Sequence, residues 1–219
     1  PWERPDLLLA QTCGWPYATA LRGRVRLVAT PVYDAEGCAG GDYRSAIVVR
    51  AEDPAASLAA MRGARLAFNS PVSQSGVHAL RAAIAPLAGG RRFFGASVET
   101  GGHRASAEAV ASGAADIAAL DCVSWALMRD HAPALTARLR VLGWTPAAPG
   151  LPLIAALGTD AATLAALREA VLETFASPAT AAIREPLRIV GAEALEDAAY
   201  DRIGALAAEA DRLGCPALA

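Results

Sequence analysis

Apolar positions along the chain fall into two spacings, and the change from one to the other predicts strands separated by helices. Short apolar runs bounded by glycine, proline or polar residues predict strands over 7–12, 25–31, 43–50, 65–69, 91–98, 116–120, 139–144 and 153–157. Helical spacing predicts helices over 17–21, 54–62, 77–87, 103–112, 124–131, 161–176, 178–185 and 194–213. Strands joined by helices indicate parallel pairing through right-handed crossovers, and therefore an α/β fold.

The ends of the predicted strands mark the places where a ligand is expected. In α/β sheets, ligands bind beyond the carboxyl ends of the strands, next to helix N-termini. This rule selects the loops 11–17, 70–76 and 99–103, together with Asp121 at the end of a further strand.

The loop 70–76 carries the most informative pattern. Ser73, Gln74, Ser75 and Gly76 lie between a predicted strand and the start of a helix. The N–H groups and positive dipole end of a helix N-terminus favour an anion, and a glycine allows its close approach. An equally open interpretation is that Ser73 or Ser75 only caps the helix. The Gly-Lys-Ser/Thr ending of a Walker phosphate loop is missing, which excludes that type of site.

Two more side chains follow predicted strands. His103 comes after two glycines at the start of a helix, where it can donate to an anionic ligand; a surface or core role is the alternative. His78 and His131 lie within helices and fit that alternative better. Asp121 can accept a hydrogen bond from an amine or hydroxyl of a ligand, or it can cap the helix that follows.

Composition and charge exclude several classes of function. The 219 residues carry 20 basic and 22 acidic side chains, a net charge of −2, with no basic run, so we expect no nucleic-acid partner. Lysine is absent, which excludes Schiff-base and P-loop lysine chemistry. No apolar run approaches ~18 residues, so we expect no membrane insertion.

The four cysteines lack C-x-x-C spacing, so we expect no metal site, and nothing implies a cofactor. A bridge between Cys13 and Cys38 is expected if the compartment is oxidising, whereas Cys122 fits a buried apolar side chain. The chain enters its first apolar run without a leader segment. We therefore expect the preceding element of the fold, and any export signal, to lie outside this sequence.

Two segments resemble one known family. The first runs from Leu58 to Gly76, LAAMRGARLAFNSPVSQSG, and the second begins at Gly102-His103 and continues through Glu108-Ala109-Val110, Gly113, Asp116 and Asp121. Their order, a strand, an S-x-S-G helix start, a second strand and a G-G-H helix start, resembles the phosphonate-binding family of periplasmic ABC-transporter proteins. The resemblance is carried by motifs over roughly residues 6–125 and by the helical tail after them.

The resemblance implies a two-lobed type II periplasmic-binding-protein fold whose N-terminal element is missing here. The first lobe would contain residues 1–64 and 141–219, and the second lobe residues 65–140. The lobes would close on a ligand held in the cleft between them.

The resemblance also implies a ligand set. It places a phosphonate or phosphate group against Ser73, Gln74, Ser75, Gly76 and His103, with further contacts from Asp121, Tyr43 and Thr12. Gln74 stands where the family more often has threonine, so an amide replaces one hydroxyl. The implied function is the solute-binding component of an ABC importer, a periplasmic or exported protein with no catalytic residue that binds a tetrahedral oxyanion and docks on a permease.

Two other classes of function stay open on the sequence alone. One is the effector-sensing domain of a transcription regulator, which uses the same two-lobed architecture. The other is a type II-fold enzyme acting on an anionic small molecule, because Ser75, His103 and Asp121 occur in an order compatible with nucleophile, base and orienting acid.

Overall fold

A computed structural model describes residues 2–215 and 218 of the chain. Close contacts divide the chain into a first unit, Pro1–Tyr43 with Ala148–Gly204, and a second unit, Arg44–Ala147 with Ala205–Ala219. These divisions differ from the expected ones after residues 64 and 140. The strand that begins at Ser45 pairs on both sides within the second unit, and the C-terminal residues from 205 pack there as well.

The strands and helices have the following bounds. The strands are β1 (Ala10–Gln11), β2 (Val25–Tyr33), β3 (Asp42–Tyr43), β4 (Ser45–Arg50), β5 (Arg65–Phe68), β6 (Ala96–Glu99), β7 (Ile117–Asp121), β8 (Leu139–Trp144), β9 (Ala148–Pro149), β10 (Leu153–Ala156) and β11 (Ile189–Glu193). The α-helices are α1 (Gly14–Pro16), α2 (Ala79–Ala88), α3 (His103–Ser112), α4 (Cys122–His131), α5 (Pro133–Thr136), α6 (Ala161–Ala176), α7 (Ala181–Arg184) and α8 (Asp201–Arg212). π-Helical turns cover Tyr17–Leu21 and Gln74–His78, and 3₁₀ turns cover Leu58–Met61, Pro178–Thr180, Glu185–Leu187 and Asp197–Tyr200.

The first unit is built on an antiparallel sheet. Its strand order is β1-β10-β2-β11, and β3 pairs with β9 in a separate two-stranded ladder. Helix α6 covers the sheet, with Leu164 and Val171 packed against Val28 and Ala155. Asp160 begins this helix by accepting from the backbone N–H groups of residues 162 and 163, which is why the helix starts where the sequence predicts it.

The second unit contains a mixed sheet of order β6-β5-β7-β4-β8. Because side chains alternate along a strand, β4 sends Ile47 and Val49 to one face and Ala46 and Val48 to the other. The first face packs under α2 and the C-terminal residues, and the second under α3 and α4. Both faces are therefore covered, as expected for an α/β sheet.

The expected parallel pairing is confirmed for part of the second unit's sheet and is wrong for the other strands. Among the strands that the structure describes, parallel pairing is confined to β5 with its two neighbours, β6 and β7. Strand β4 is antiparallel to both of its neighbours, and β11, which the sequence analysis does not predict, joins β2 antiparallel. The hydrophobic pattern records that a strand is buried, but it does not record the direction of the strand beside it.

Two predicted elements are shorter than expected because tertiary contacts use backbone groups in or next to them, and a third is shorter because its apolar side chains are exposed. At the start of the predicted helix 54–62, the Arg140 guanidinium binds the carbonyl of Ala55 and that of the preceding residue, Asp53, and only a 3₁₀ turn, Leu58–Met61, forms. In the predicted strand 91–98, residues 93 and 94 pair with Gly63 and Leu218, so β6 begins at residue 96. The apolar run 7–12 forms only β1, and Leu8 is 66% exposed, so the expectation of a buried strand there is wrong.

All four cysteines lie among the described residues, and the expected disulfide between Cys13 and Cys38 is not formed there. Cys13 precedes α1 and Cys38 lies in the loop between β2 and β3; the sequence does not determine the separation of two loops, on which a disulfide depends. Cys122 is buried, as expected. Among residues 2–215 and 218, no helix is both long enough and apolar enough to cross a membrane.

Candidate anion site of the second unit

One edge of the second unit's sheet collects the polar residues that the sequence singles out. Strands β5, β6 and β7 are parallel, so their carboxyl ends lie at the same edge. Strand β4 runs the other way and begins at this edge, with Ser45 opposite Asp121. The loops leaving β5 and β6 contain the Ser73–Gly76 segment and His103, so the three expected groups meet at this edge.

Ser73 caps the helical turn that leads into α2. Its Oγ accepts a hydrogen bond from the Gly76 N–H at 3.0 Å, and its carbonyl accepts from the N–H groups of Val77 and His78 at 3.2 Å. The interpretation of Ser73 as an N-cap is therefore confirmed. A serine hydroxyl that accepts such a bond still has its own hydrogen to donate, so capping and anion binding are compatible.

Ser75 connects the turn to two other elements. Its Oγ lies 3.0 Å from Nε2 of His103 and 3.4 Å from Oγ of Ser73, and its carbonyl accepts from the Ser45 hydroxyl at 2.9 Å. Ser73 and Ser75 are buried, with only 5% and 4% of their surface exposed. Two buried hydroxyls and a half-buried imidazole therefore form one chain of hydrogen-bonding groups, which suits recognition of an oxyanion.

His103 begins α3 directly after Gly102, at the edge where β6 ends. Burial lowers the pKa of His103, and the negative charge of Asp121 acts in the opposite direction. Because the charged form is disfavoured, the imidazole is neutral at pH 7, with one nitrogen donating and one accepting.

Asp121 has a defined structural role at the same edge. Its Oδ1 accepts from the Ser124 N–H at 2.8 Å and so caps α4. The capping alternative is therefore confirmed, while a contact between Asp121 and a ligand stays a prediction. Gln74 is buried in the same turn, at 1% exposure.

Gly76 is required by a neighbouring side chain. A Cβ placed on Gly76 would lie 1.9 Å from Oδ1 of Asn69 and 3.3 Å from Oγ of Ser73. Atoms do not approach that closely, so no larger residue fits here without movement of Asn69. A glycine at this position was expected to allow the close approach of a ligand. In the structure, the side chain of Asn69 occupies the space that a larger residue would need.

Thr12 and Tyr43 belong to the first unit. Thr12 follows β1 and donates its backbone N–H to the Pro152 carbonyl at 3.0 Å, and Tyr43 lies in β3 opposite Ala148. Both residues are buried, at 2% and 4% exposure. Their contribution to ligand binding stays a prediction.

Sequence reasoning missed three residues that position the site: Ser45, Asn69 and Thr100. The Thr100 backbone N–H and hydroxyl both donate to the Phe68 carbonyl, at 2.8 and 3.0 Å, which ties the loop before His103 to the end of β5. Each of the three is a polar residue at the end of a strand, and that position is the signal that could have identified them.

Comparison with known proteins gives a consistent family assignment. The family model described as an ABC-transporter, phosphonate, periplasmic substrate-binding protein matches residues 6–200. No curated protein sequence matches the chain significantly.

Solved structures share the fold at low sequence identity. A binding-protein component of an ABC phosphonate transporter from Pseudomonas aeruginosa superposes with a TM-score of 0.77 at 20% identity, covering 95% of this chain and 69% of that one. The PhnD1 protein of Prochlorococcus marinus, in complex with methylphosphonate, gives 0.73 at 18% identity, covering 94% and 79%. A Xanthomonas citri protein bound to ATP gives 0.69 at 21% identity, covering 95% and 78%.

These similarities agree with the element order and with the S-x-S-G and G-G-H motifs at the sheet edge. The fold is that of the two-lobed type II periplasmic binding proteins. The chain belongs to the phosphonate family of periplasmic substrate-binding proteins of ABC transporters.

Proposed function

We propose that this chain is the exported solute-binding component of an ABC importer and that its second unit binds the oxyanion group of a phosphonate or phosphate ligand. Ser73, Gln74, Ser75, Gly76 and His103 would form the anion-binding group, with Asp121, Tyr43 and Thr12 in contact with the rest of the ligand. The observation that carries the proposal is the chain of hydrogen-bonding groups Ser73–Ser75–His103, with both serines buried, at the start of a helical turn.

The chemistry of these groups matches a tetrahedral oxyanion. Serine hydroxyls can rotate to donate, and the N-terminal N–H groups of a helix point toward a bound anion. Hydrogen bonds to a charged group contribute ~1.5–3 kcal/mol each, so a handful gives micromolar affinity or better after ordering costs. Recognition by neutral donors suits a chain without lysine.

The proposed function ends at binding and transfer. The family consists of transporter binding proteins, and we propose that this chain binds its ligand without chemical change and delivers it to a permease.

Calorimetric titration of the purified protein with methylphosphonate and with inorganic phosphate tests the proposal. We expect saturable binding with a micromolar or tighter dissociation constant, weakened by the Ser73→Ala/Ser75→Ala pair. Ser112→Ala is the matched control, because Ser112 is exposed at the far end of α3. Wild-type affinity in the Ser73→Ala/Ser75→Ala protein would remove this site from the proposal.

One observation favours a second candidate function, that of an enzyme. The 3.0 Å approach of Ser75 Oγ to His103 Nε2, with a neutral imidazole, is the arrangement of a nucleophile and a base. Incubation with p-nitrophenyl esters and phosphoesters decides between the two. Turnover that disappears in Ser75→Ala would support the enzyme, whereas binding without turnover would support the transporter component.

A further inference from the structure

Asn69 places an unpartnered hydrogen-bond acceptor beside the candidate anion site. The residue follows Phe68, the last residue of β5, and opens the loop that leads to Ser73. Its Oδ1 is buried and has no hydrogen-bond partner in the described part of the chain. A buried acceptor without a partner costs free energy. A ligand that donates a hydrogen bond to this oxygen would remove that cost.

The position of this oxygen is defined by Gly76. Oδ1 of Asn69 and Oγ of Ser73 lie 1.9 and 3.3 Å from the point at which a Gly76 Cβ would stand. Both oxygens therefore face the same side of the turn. Ser73 Oγ accepts from the Gly76 N–H, which leaves its hydrogen for a ligand, whereas Asn69 Oδ1 has no hydrogen and can only accept.

The accepting oxygen of Asn69, next to the donating serine hydroxyls, would distinguish an oxyanion that has a hydrogen on one oxygen from an oxyanion that has none. An unprotonated ligand oxygen facing Oδ1 would bring two sets of lone pairs together without a hydrogen between them. A ligand that keeps one P–OH group supplies that hydrogen, while its remaining oxygens accept from the serine hydroxyls.

We infer that Asn69 accepts a hydrogen bond from the P–OH group of the ligand, and that the site therefore selects a monoprotonated phosphonate or phosphate over an oxyanion without a hydrogen. This inference rests on the proposed function and adds the protonation state of the ligand to it. Asn69 is a specificity-determining residue in this scheme, and the P–OH hydrogen stays on its ligand oxygen when it is donated to Oδ1.

Methylphosphonate and methanesulfonate form a matched pair of test ligands. Below the second ionisation of methylphosphonate both are tetrahedral monoanions with one methyl group. Methylphosphonate has phosphorus and one P–OH hydrogen where methanesulfonate has sulfur and no hydrogen on oxygen, so only methylphosphonate can donate a hydrogen bond. The wild-type protein should bind methylphosphonate at least about tenfold more tightly than methanesulfonate in calorimetric titrations at the same pH. Ser112→Ala should show the same ratio.

Two substitutions separate the acceptor from a merely structural role. Asn69→Ala should reduce the preference for methylphosphonate by weakening its binding while leaving methanesulfonate unchanged or tighter. Asn69→Asp keeps the shape and can only accept when ionised, so it should preserve or increase the preference even though methanesulfonate binds less tightly.

The outcomes distinguish this inference from the function on which it rests. Failure of the wild-type protein to bind methylphosphonate and phosphate would overturn both. Tight methylphosphonate binding with an equal affinity for methanesulfonate would overturn the inference alone. Equal weakening of both ligands by Asn69→Ala, or loss of the preference in Asn69→Asp, would also overturn it, because the side chain would then act as a donor or a support.

Discussion

Oγ of Ser75 lies 3.0 Å from Nε2 of His103, although the two residues begin different helical segments of the second unit. The parallel pairing of β5 with β6 brings them together, because the loops that leave both strands emerge at one edge of the sheet. This contact makes the state of the Ser75 hydroxyl dependent on the protonation of His103. A neutral imidazole can accept a hydrogen bond from the Ser75 hydroxyl. A charged imidazole cannot accept, so the hydroxyl is then able to donate to a ligand.

The two serines should respond differently to removal of their hydroxyls. Ser75→Ala should lower oxyanion affinity by about 10–100-fold, the equivalent of ~1–3 kcal/mol, with a smaller effect on the free energy of unfolding. Ser73→Ala should lower affinity and also destabilise the protein by about 1 kcal/mol, because the hydroxyl caps the turn through the Gly76 N–H. Calorimetric titration and urea denaturation measure the two quantities. An unfolding free energy equally reduced in both variants would contradict this division of roles.

Anion affinity should depend on pH through His103. Burial lowers the pKa of the imidazole in the free protein, and a bound anion favours the charged form, so the pKa of His103 should rise on binding. Between the two pKa values binding takes up a proton, and affinity weakens as the pH rises through the higher one. Titrations of methylphosphonate from pH 5 to 8 in wild type and His103→Gln isolate this contribution, since the ligand's own ionisation is common to both. If affinity depends on pH in the same way in wild type and His103→Gln, His103 is not the source of the pH dependence.

Protein stability should fall on acidification because of His78. Burial, with the positive charge of Arg81 acting in the same direction, lowers the pKa of His78 to about 4. The unfolded chain has a histidine pKa of about 6.5, so between these values the unfolded state binds the extra proton. The stability contributed by neutral His78 is therefore complete above pH about 6.5 and is lost as the pH falls toward 4.

Urea denaturation at several pH values tests this prediction. His78→Gln should flatten the decline of the unfolding free energy across that window, while His131→Gln, at an exposed position, serves as the control. Carboxylates such as Asp116, whose pKa is lowered chiefly by its hydrogen bond to Arg65, lose their contribution only at lower pH. An unchanged slope in His78→Gln would show that this histidine does not titrate with folding.

Gly76→Ala should destabilise the second unit and weaken anion binding. The added methyl would meet Oδ1 of Asn69 at 1.9 Å, so the side chain or the turn must move. Overpacking of this kind costs about 1–3 kcal/mol. Gly143→Ala is the control, because nothing lies within 4 Å of a Cβ at that glycine in β8. Adding Asn69→Ala to Gly76→Ala should recover part of the lost unfolding free energy; a double variant no more stable than the single one would contradict the steric explanation.

Local patterns determined several elements without help from the tertiary structure. Helices α3 and α6 and strand β8 have the bounds that the sequence predicts. For α3 the reason is visible in the chain, since Gly113 adopts a left-handed conformation (φ +80°) and ends the helix. The start of the helical segment at the S-x-S-G motif is likewise a local feature, because capping and helix-start signals act over a few residues.

Other features depend on residues far apart in the chain. Arg140 binds the carbonyl of Ala55, inside the predicted helix 54–62, and that of Asp53 just before it, and no pattern within that segment indicates these contacts. The antiparallel pairing of β4 and the addition of β11 to β2 follow from which strands meet in space. Polar residues such as Ser45 and Asn69 became part of the site only through the partners that the sheet edge brings to them.

The sequence by itself therefore determined the S-x-S-G and G-G-H helix starts and the family, because both depend on short runs whose conformation is set by local hydrogen bonds and backbone preferences. Only the tertiary structure decided the strand directions, the division of the chain between the two units, and the contact of Ser75 with His103. The physical reason is that hydrophobic burial is non-directional: it selects which side chains leave water but not which distant partner they meet.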